Sequence, residues 1–222
     1  MQIRIKTKIT VKPGMQLVCA VVIALIPILF SYKQIFSISP TYLTLILCVP
    51  FILMRLVNRK ITSLKNLGWI AVYLLYCMAG HGIGISEVIV TALFLIYALA
   101  ANNGVFDEKL IWKSVVVISC IATVGILLQT AYYYLLGTRL FLCPTNLMEE
   151  SIWMQYGVET SDQVLSSALY RPASFFLEPS MFAQYVVLGV MYLRLSEAKD
   201  RKSFGIAVFL SVGVIASTSG IG

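Results

Sequence analysis

Charge is what this 222-residue chain has least of: Asp, Glu, Lys and Arg make up 12% of it, about half the roughly 25% of an ordinary soluble domain. There are ten acidic residues, one histidine and no long polar tract, whereas 59% of the residues are apolar. A soluble fold cannot cover that much apolar surface, so a water-soluble enzyme or a nucleic-acid-binding domain is excluded, although the net charge of +7 invites the second reading. Cysteine is scarce too. Cys19, Cys48, Cys77 and Cys120 fall in apolar runs and only Cys143 lies in a hydrophilic segment. A disulfide framework and a metal-type spacing are both missing, and buried small apolar residues are the expectation. The single histidine, His81, sits in the Gly80–Gly84 turn and is read as a loop residue rather than a proton shuttle. No repeat, low-complexity tract or soluble domain interrupts the chain.

What fills the chain is a series of uncharged runs: Pro13–Tyr32, Gln34–Met54, Asn66–Ser86, Val88–Phe106, Ser114–Thr138 and Ser203–Gly222, with a shorter one at Pro179–Leu193. A helix crossing a bilayer needs about 20 mainly apolar residues, and backbone groups facing lipid must be paired within their own segment. The expectation is therefore an all-α integral membrane protein, a single polytopic domain over 1–222 with about seven transmembrane helices. The first run is longer than the apolar part of a signal peptide and no small-residue cleavage site follows it. Of the 17 basic residues, 14 fall on one side of such a bundle, leaving Lys33, Arg139 and Arg171 on the other. That split predicts a cytoplasmic N-terminus. An odd span count ending at Gly222 predicts a truncated frame or a piece of a longer protein.

The only substantial hydrophilic stretch, an external loop at about 138–175, is longer than a simple connector. Asn146 followed by Glu149 resembles a helix start, with Gly157 as the stop. Ser161 caps a second short helix whose face is Val164, Leu165, Ala168 and Leu169. Trp153, Tyr156, Tyr170 and the run Tyr132-Tyr133-Tyr134 suit the headgroup level. The loop then gives Arg171-Pro-Ala-Ser-Phe-Phe-Leu-Glu178-Pro-Ser-Met-Phe-Ala. The 15 uncharged residues from Pro179 to Leu193 span about 22 Å, short of a bilayer core. Glu178 is accordingly expected in a recess below the outer boundary, where ionisable groups face a pathway or a partner. Pro179 fits the first helical position, with Glu178 as its anionic cap.

These residues resemble a family. Arg171-Pro-x-Ser-Phe-Phe-x-Glu178-Pro-Ser-x-Phe-Ala, placed after a large external loop, and the closing Ser217-Thr-Ser-Gly220 are similar to the bacterial O-antigen and capsular polysaccharide polymerases, relatives of the O-antigen ligases. The resemblance covers residues 60–222. It implies that a growing glycan is transferred from undecaprenyl diphosphate to another lipid-linked repeat unit, at the outer face of the bacterial plasma membrane. It implies no cofactor, no metal and no nucleic acid, with membrane lipids, a chain-length regulator and a flippase as partners. Arg171 and Glu178 become the catalytic candidates, and Arg139, Tyr170, Ser174, Ser180 and Tyr185 the substrate-binding ones. Arg171 would hold the departing diphosphate through paired donors, with Arg139 as a second cation. Glu178 would take the acceptor's proton or orient Arg171. Two other classes compete: a flippase for lipid-linked sugars, which would carry polar groups near the midplane, and a non-catalytic member of an assembly complex. Gln129 is the main polar group inside the first five runs.

Overall fold

Proline and glycine set five of the twelve helix ends described. The computed structural model describes residues 13–29, 32, 39–58, 68, 72–73, 75–76, 84–138, 140, 142, 172–176, 178–195 and 200–217. Among these are six α-helices: α1 (Pro13–Leu29), α2 (Pro40–Asn58), α3 (Ile85–Asn102), α4 (Glu108–Leu136), α5 (Pro179–Leu195) and α6 (Arg201–Ala216). Three of them open on proline, whose fixed φ and missing N–H suit the first helical position. The end of α3 is written in Asn102-Asn103-Gly104: Gly104 takes φ +62, its N–H bonds to Ala101, and the N–H of Val105 bonds to Ala100 at 2.9 Å. This pair of bonds closes orphan carbonyls of the last turn. Gly137, at φ +68, ends α4 in the same left-handed conformation, with its N–H on Tyr133 at 2.9 Å.

The expectation of about seven transmembrane helices is corrected here. The described residues hold six helices, and two of them, Pro40–Val57 within α2 and Glu108–Leu136, are long and apolar enough to cross a membrane; Gly14–Leu29 and Val88–Asn102 are apolar but shorter. Uncharged runs and helices do not share their bounds: the Glu108–Leu136 helix starts six residues before the run Ser114–Thr138. Helix α2 starts at Pro40, inside the run that begins at Gln34, because a proline holds the preceding residue out of the helical region. With 17 residues in α5 and 16 in α6, these helices reach about 24–26 Å against a core of about 30 Å. The run Asn66–Ser86 lies mostly outside the described residues. So do the two short helices expected after Asn146 and Ser161, together with His81, Cys77, Cys143 and residues 218–220. Two spanning-length helices support a membrane location.

The chain divides into two units. The first comprises Met1–Ile23 and Tyr42–Glu108, the second Ala24–Thr41 and Lys109–Gly222. In the first, Cys19, Cys48, Phe51, Ile52, Leu56, Ala100 and Val105 form the buried core. Polar side chains there reach across to backbone carbonyls. Tyr97 donates to Leu45 at 3.0 Å. Arg55 lies in the last turn of α2. Its guanidinium donates to the carbonyl of Val105 at 3.0 Å, sits over the Phe51 ring and meets the amide oxygen of Gln16.

In the second unit α5 and α6 pack together, and glycines decide how closely helices approach. A Cβ on Gly213 would stand 2.6 Å from the Thr123 methyl, and one on Gly189 would stand 3.2 Å from the Ser119 hydroxyl. Such small-residue contacts suit helices in lipid, where association rests on packing rather than on escape from water. The hydroxyls of Ser119 and Thr123 are fully buried and make no hydrogen bond, whereas Ser114 and Thr130 on the same helix bond back to Leu110 and Ile126.

Candidate functional site

The segment from Pro172 to Ser180 is built rather than draped. Pro172 is fully buried. Ser174 takes φ +56, a left-handed conformation that costs a non-glycine residue roughly 1–2 kcal/mol. Two features of α4 hold it there. Gln129, 4% exposed, accepts from the Ser174 N–H at 2.7 Å and donates to the Leu140 carbonyl at 2.9 Å and the Ser174 carbonyl at 3.5 Å. One turn earlier Gly125 leaves the space that Ser174 fills: a Cβ would collide with the serine hydroxyl and come within 2.9 Å of Leu142. The turn closes with the Phe176 N–H on the Ala173 carbonyl at 3.0 Å.

Phe176 then anchors the segment. Its ring stacks with Phe175 and meets Phe182 edge-on at 5.8 Å and Tyr185 at 5.3 Å. Each such aromatic pair is worth about 0.5–1.5 kcal/mol beyond burial. Two residues on, the carbonyl of Glu178 accepts the first bond of α5, from Phe182 at 3.1 Å. Its carboxylate accepts from the Ser180 hydroxyl at 2.5 Å. The negative charge therefore stands at the positive end of the α5 dipole. Glu178 is half-buried. Among the described side chains, only it and Arg55 carry charge without being exposed.

Against known proteins, the chain matches no family model, no curated protein and no solved structure. Among the described residues the Glu178 carboxylate is met by one hydroxyl, and such a carboxylate has lone pairs left for a proton or for a guanidinium.

Four of the seven residues singled out from sequence are described, and they divide by what they do. Ser180 binds Glu178 directly. Ser174 is 3% exposed and holds the turn through its backbone. Tyr185 is buried and its hydroxyl donates to the Ala24 carbonyl at 2.8 Å, tying α5 to the end of α1 beside Pro27, a residue that cannot donate to the carbonyl of Ile23. Arg139, Tyr170 and Arg171 lie outside the described residues. Sequence reading noticed Gln129 but gave it no task, and passed over Gly125. Their spacing of four residues, which puts both on one helical face, is the signal that was there to find. Among the described residues no three His, Cys, Asp or Glu side chains gather as a metal site.

Proposed function

We propose that this chain polymerises lipid-linked oligosaccharide repeat units at the outer face of a bacterial plasma membrane, in the manner of the O-antigen and capsular polysaccharide polymerases. What carries the reading is the position of Glu178: half-buried at the N-terminus of an apolar helix, delivered there by a strained turn that Gln129 and Gly125 hold. In this reaction the bond between the anomeric carbon and the diphosphate oxygen breaks, and a bond to the acceptor's hydroxyl oxygen forms. The acceptor's proton passes to the Glu178 carboxylate and the undecaprenyl diphosphate leaves with its negative charge on Arg171. Arg139 and Tyr170 contact the donor, Ser180 steers the carboxylate, and a flippase and a chain-length regulator supply and limit the chains.

The test is complementation in a host that lacks its own polymerase. Wild-type chain should restore long glycans. Arg171→Ala and Glu178→Gln should each leave single repeat units on the lipid carrier outside, with the protein still present in membranes. Full-length glycans from both variants overturn the reading. Repeat units stalled on the cytoplasmic leaflet would replace it with a flippase.

A further inference from the structure

The first unit holds a second chemical feature, unrelated to the carboxylate of α5. Cys19 on α1 and Cys48 on α2 are each 4% exposed and pack into one cluster with Phe51 and Ile52. Both are free thiols. The two thiols lie near enough to interact with each other, and Tyr97 packs against the same cluster. The Tyr97 ring in turn lines an apolar cavity of about 740 Å³, together with Tyr73, Tyr76, Phe94 and Val90. That volume falls within the roughly 300–1,000 Å³ of small-molecule sites, which are lined by apolar and aromatic side chains with few polar groups. A dithiol and an aromatic cavity thus share one residue.

We propose that Cys19 and Cys48 form an oxidisable pair that closes to a disulfide, with a lipid-soluble quinone in the Tyr97 cavity as the electron acceptor. Two S–H bonds break and one S–S bond of about 2 Å forms; the two protons and two electrons leave with the quinone as its quinol. Burial selects this acceptor class. Thiols this deeply enclosed are inert to reagents that travel in water, whereas a planar apolar ring can enter a cavity walled by tyrosine and phenylalanine. α2, which carries Cys48, is also long and apolar enough to lie in a bilayer, where such quinones dissolve. Closure would tie α1 to α2 covalently and make the first unit responsive to the redox state of the membrane.

The full chain in liposomes, incubated with a short-chain ubiquinone analogue and digested without reductant, tests this. Trypsin cuts after Lys33, which separates the two cysteines. The expected product is one linked peptide pair, two hydrogens lighter than the separate thiols, with one quinol formed per chain. Cys19→Ser and Cys48→Ser should each abolish both signals. Val90→Phe, which fills the cavity, should slow closure by the quinone severalfold and leave closure by iodine, a small apolar oxidant, unchanged. Absence of the link in wild-type chain, closure by oxidised glutathione as fast as by quinone, or pairing with Cys77, Cys120 or Cys143 instead would each overturn the proposal.

Discussion

Both units use side-chain bonds to backbone carbonyls, Tyr185 to Ala24 in the second as well as Arg55 to Val105 and Tyr97 to Leu45 in the first. They differ in how closely their described glycines are approached. In the first, Gly14 and Gly68 have nothing near the place a Cβ would take. In the second, Gly125, Gly189 and Gly213 are pressed against Ser174, Ser119 and Thr123. Among the described side chains each unit nevertheless keeps one half-buried charge, and each sits where its helix dipole favours it: Arg55 in the last turn of α2, Glu178 before the first turn of α5. The contrast teaches that close approach and charge placement are separate devices. Small residues fix where backbones meet, and helix ends decide which sign of charge can leave water.

The sharpest way to break this comparison is to add one methyl group in different places. Gly213→Ala forces a Cβ into the Thr123 side chain, and overpacking of this kind costs about 1–3 kcal/mol. Gly205→Ala on the same helix, and Gly14→Ala in the first unit, meet open space and should gain up to about 1 kcal/mol from helix propensity alone. Thermal melts in detergent should therefore move in opposite directions. Thr123→Ala should restore most of the loss in Gly213→Ala, because it removes the atoms in the way. Equal melts for Gly213→Ala and Gly205→Ala would mean that glycine does not set the helix approach in the second unit.

A smaller change separates the two kinds of side-chain-to-carbonyl contact. Gln129→Leu strands the Ser174 N–H and the Leu140 carbonyl in a buried place, which costs about 1–3 kcal/mol. It also removes what holds Ser174 at positive φ, so protease cleavage near Pro172 should accelerate. Arg55→Met in the first unit should lose less, since a half-exposed contact is partly replaced by water. If Arg55→Met proves the costlier change, water does not reach that guanidinium and the ranking of the two contacts reverses.

How much of this was legible can be argued residue by residue. Pro13 and Pro179 mark helix starts that the backbone keeps, because proline acts through its own ring and needs no neighbour; Pro40 carries the same signal inside a run read from Gln34. Glu178 stands directly before the first turn of α5, where its carbonyl accepts from Phe182 and its carboxylate from the Ser180 hydroxyl. The helix count was not legible, since absence of charge does not by itself fix where a helix begins or ends, and Arg55 shows that a charge can lie inside a helix when a carbonyl and an aromatic face receive it. The seat under Ser174 was hidden for a third reason. It joins residues 125, 129 and 174, and nothing local to Ser174 announces a left-handed serine that a glutamine far back in the chain must hold.

The smallest expected effect concerns the start of α6. Asp200 caps this helix by accepting from the Ser203 N–H at 2.9 Å. The Ser203 side chain and then its N–H, with a lesser pull from Lys202, hold the carboxyl below its ordinary value of 3.8. A carboxylate lowered on folding contributes stability above its unfolded pKa, and that contribution disappears as the pH falls through the folded one. Protection of the Ser203 amide against hydrogen exchange should thus be flat at neutral pH and fall only below about pH 4. Asp200→Asn keeps a capping oxygen without the charge, so its protection should be lower at neutral pH but free of the acid limb. Because Asp200 is fully exposed, the global melt should barely move while the local exchange does. Acid sensitivity that persists in Asp200→Asn would assign the limb to another carboxylate.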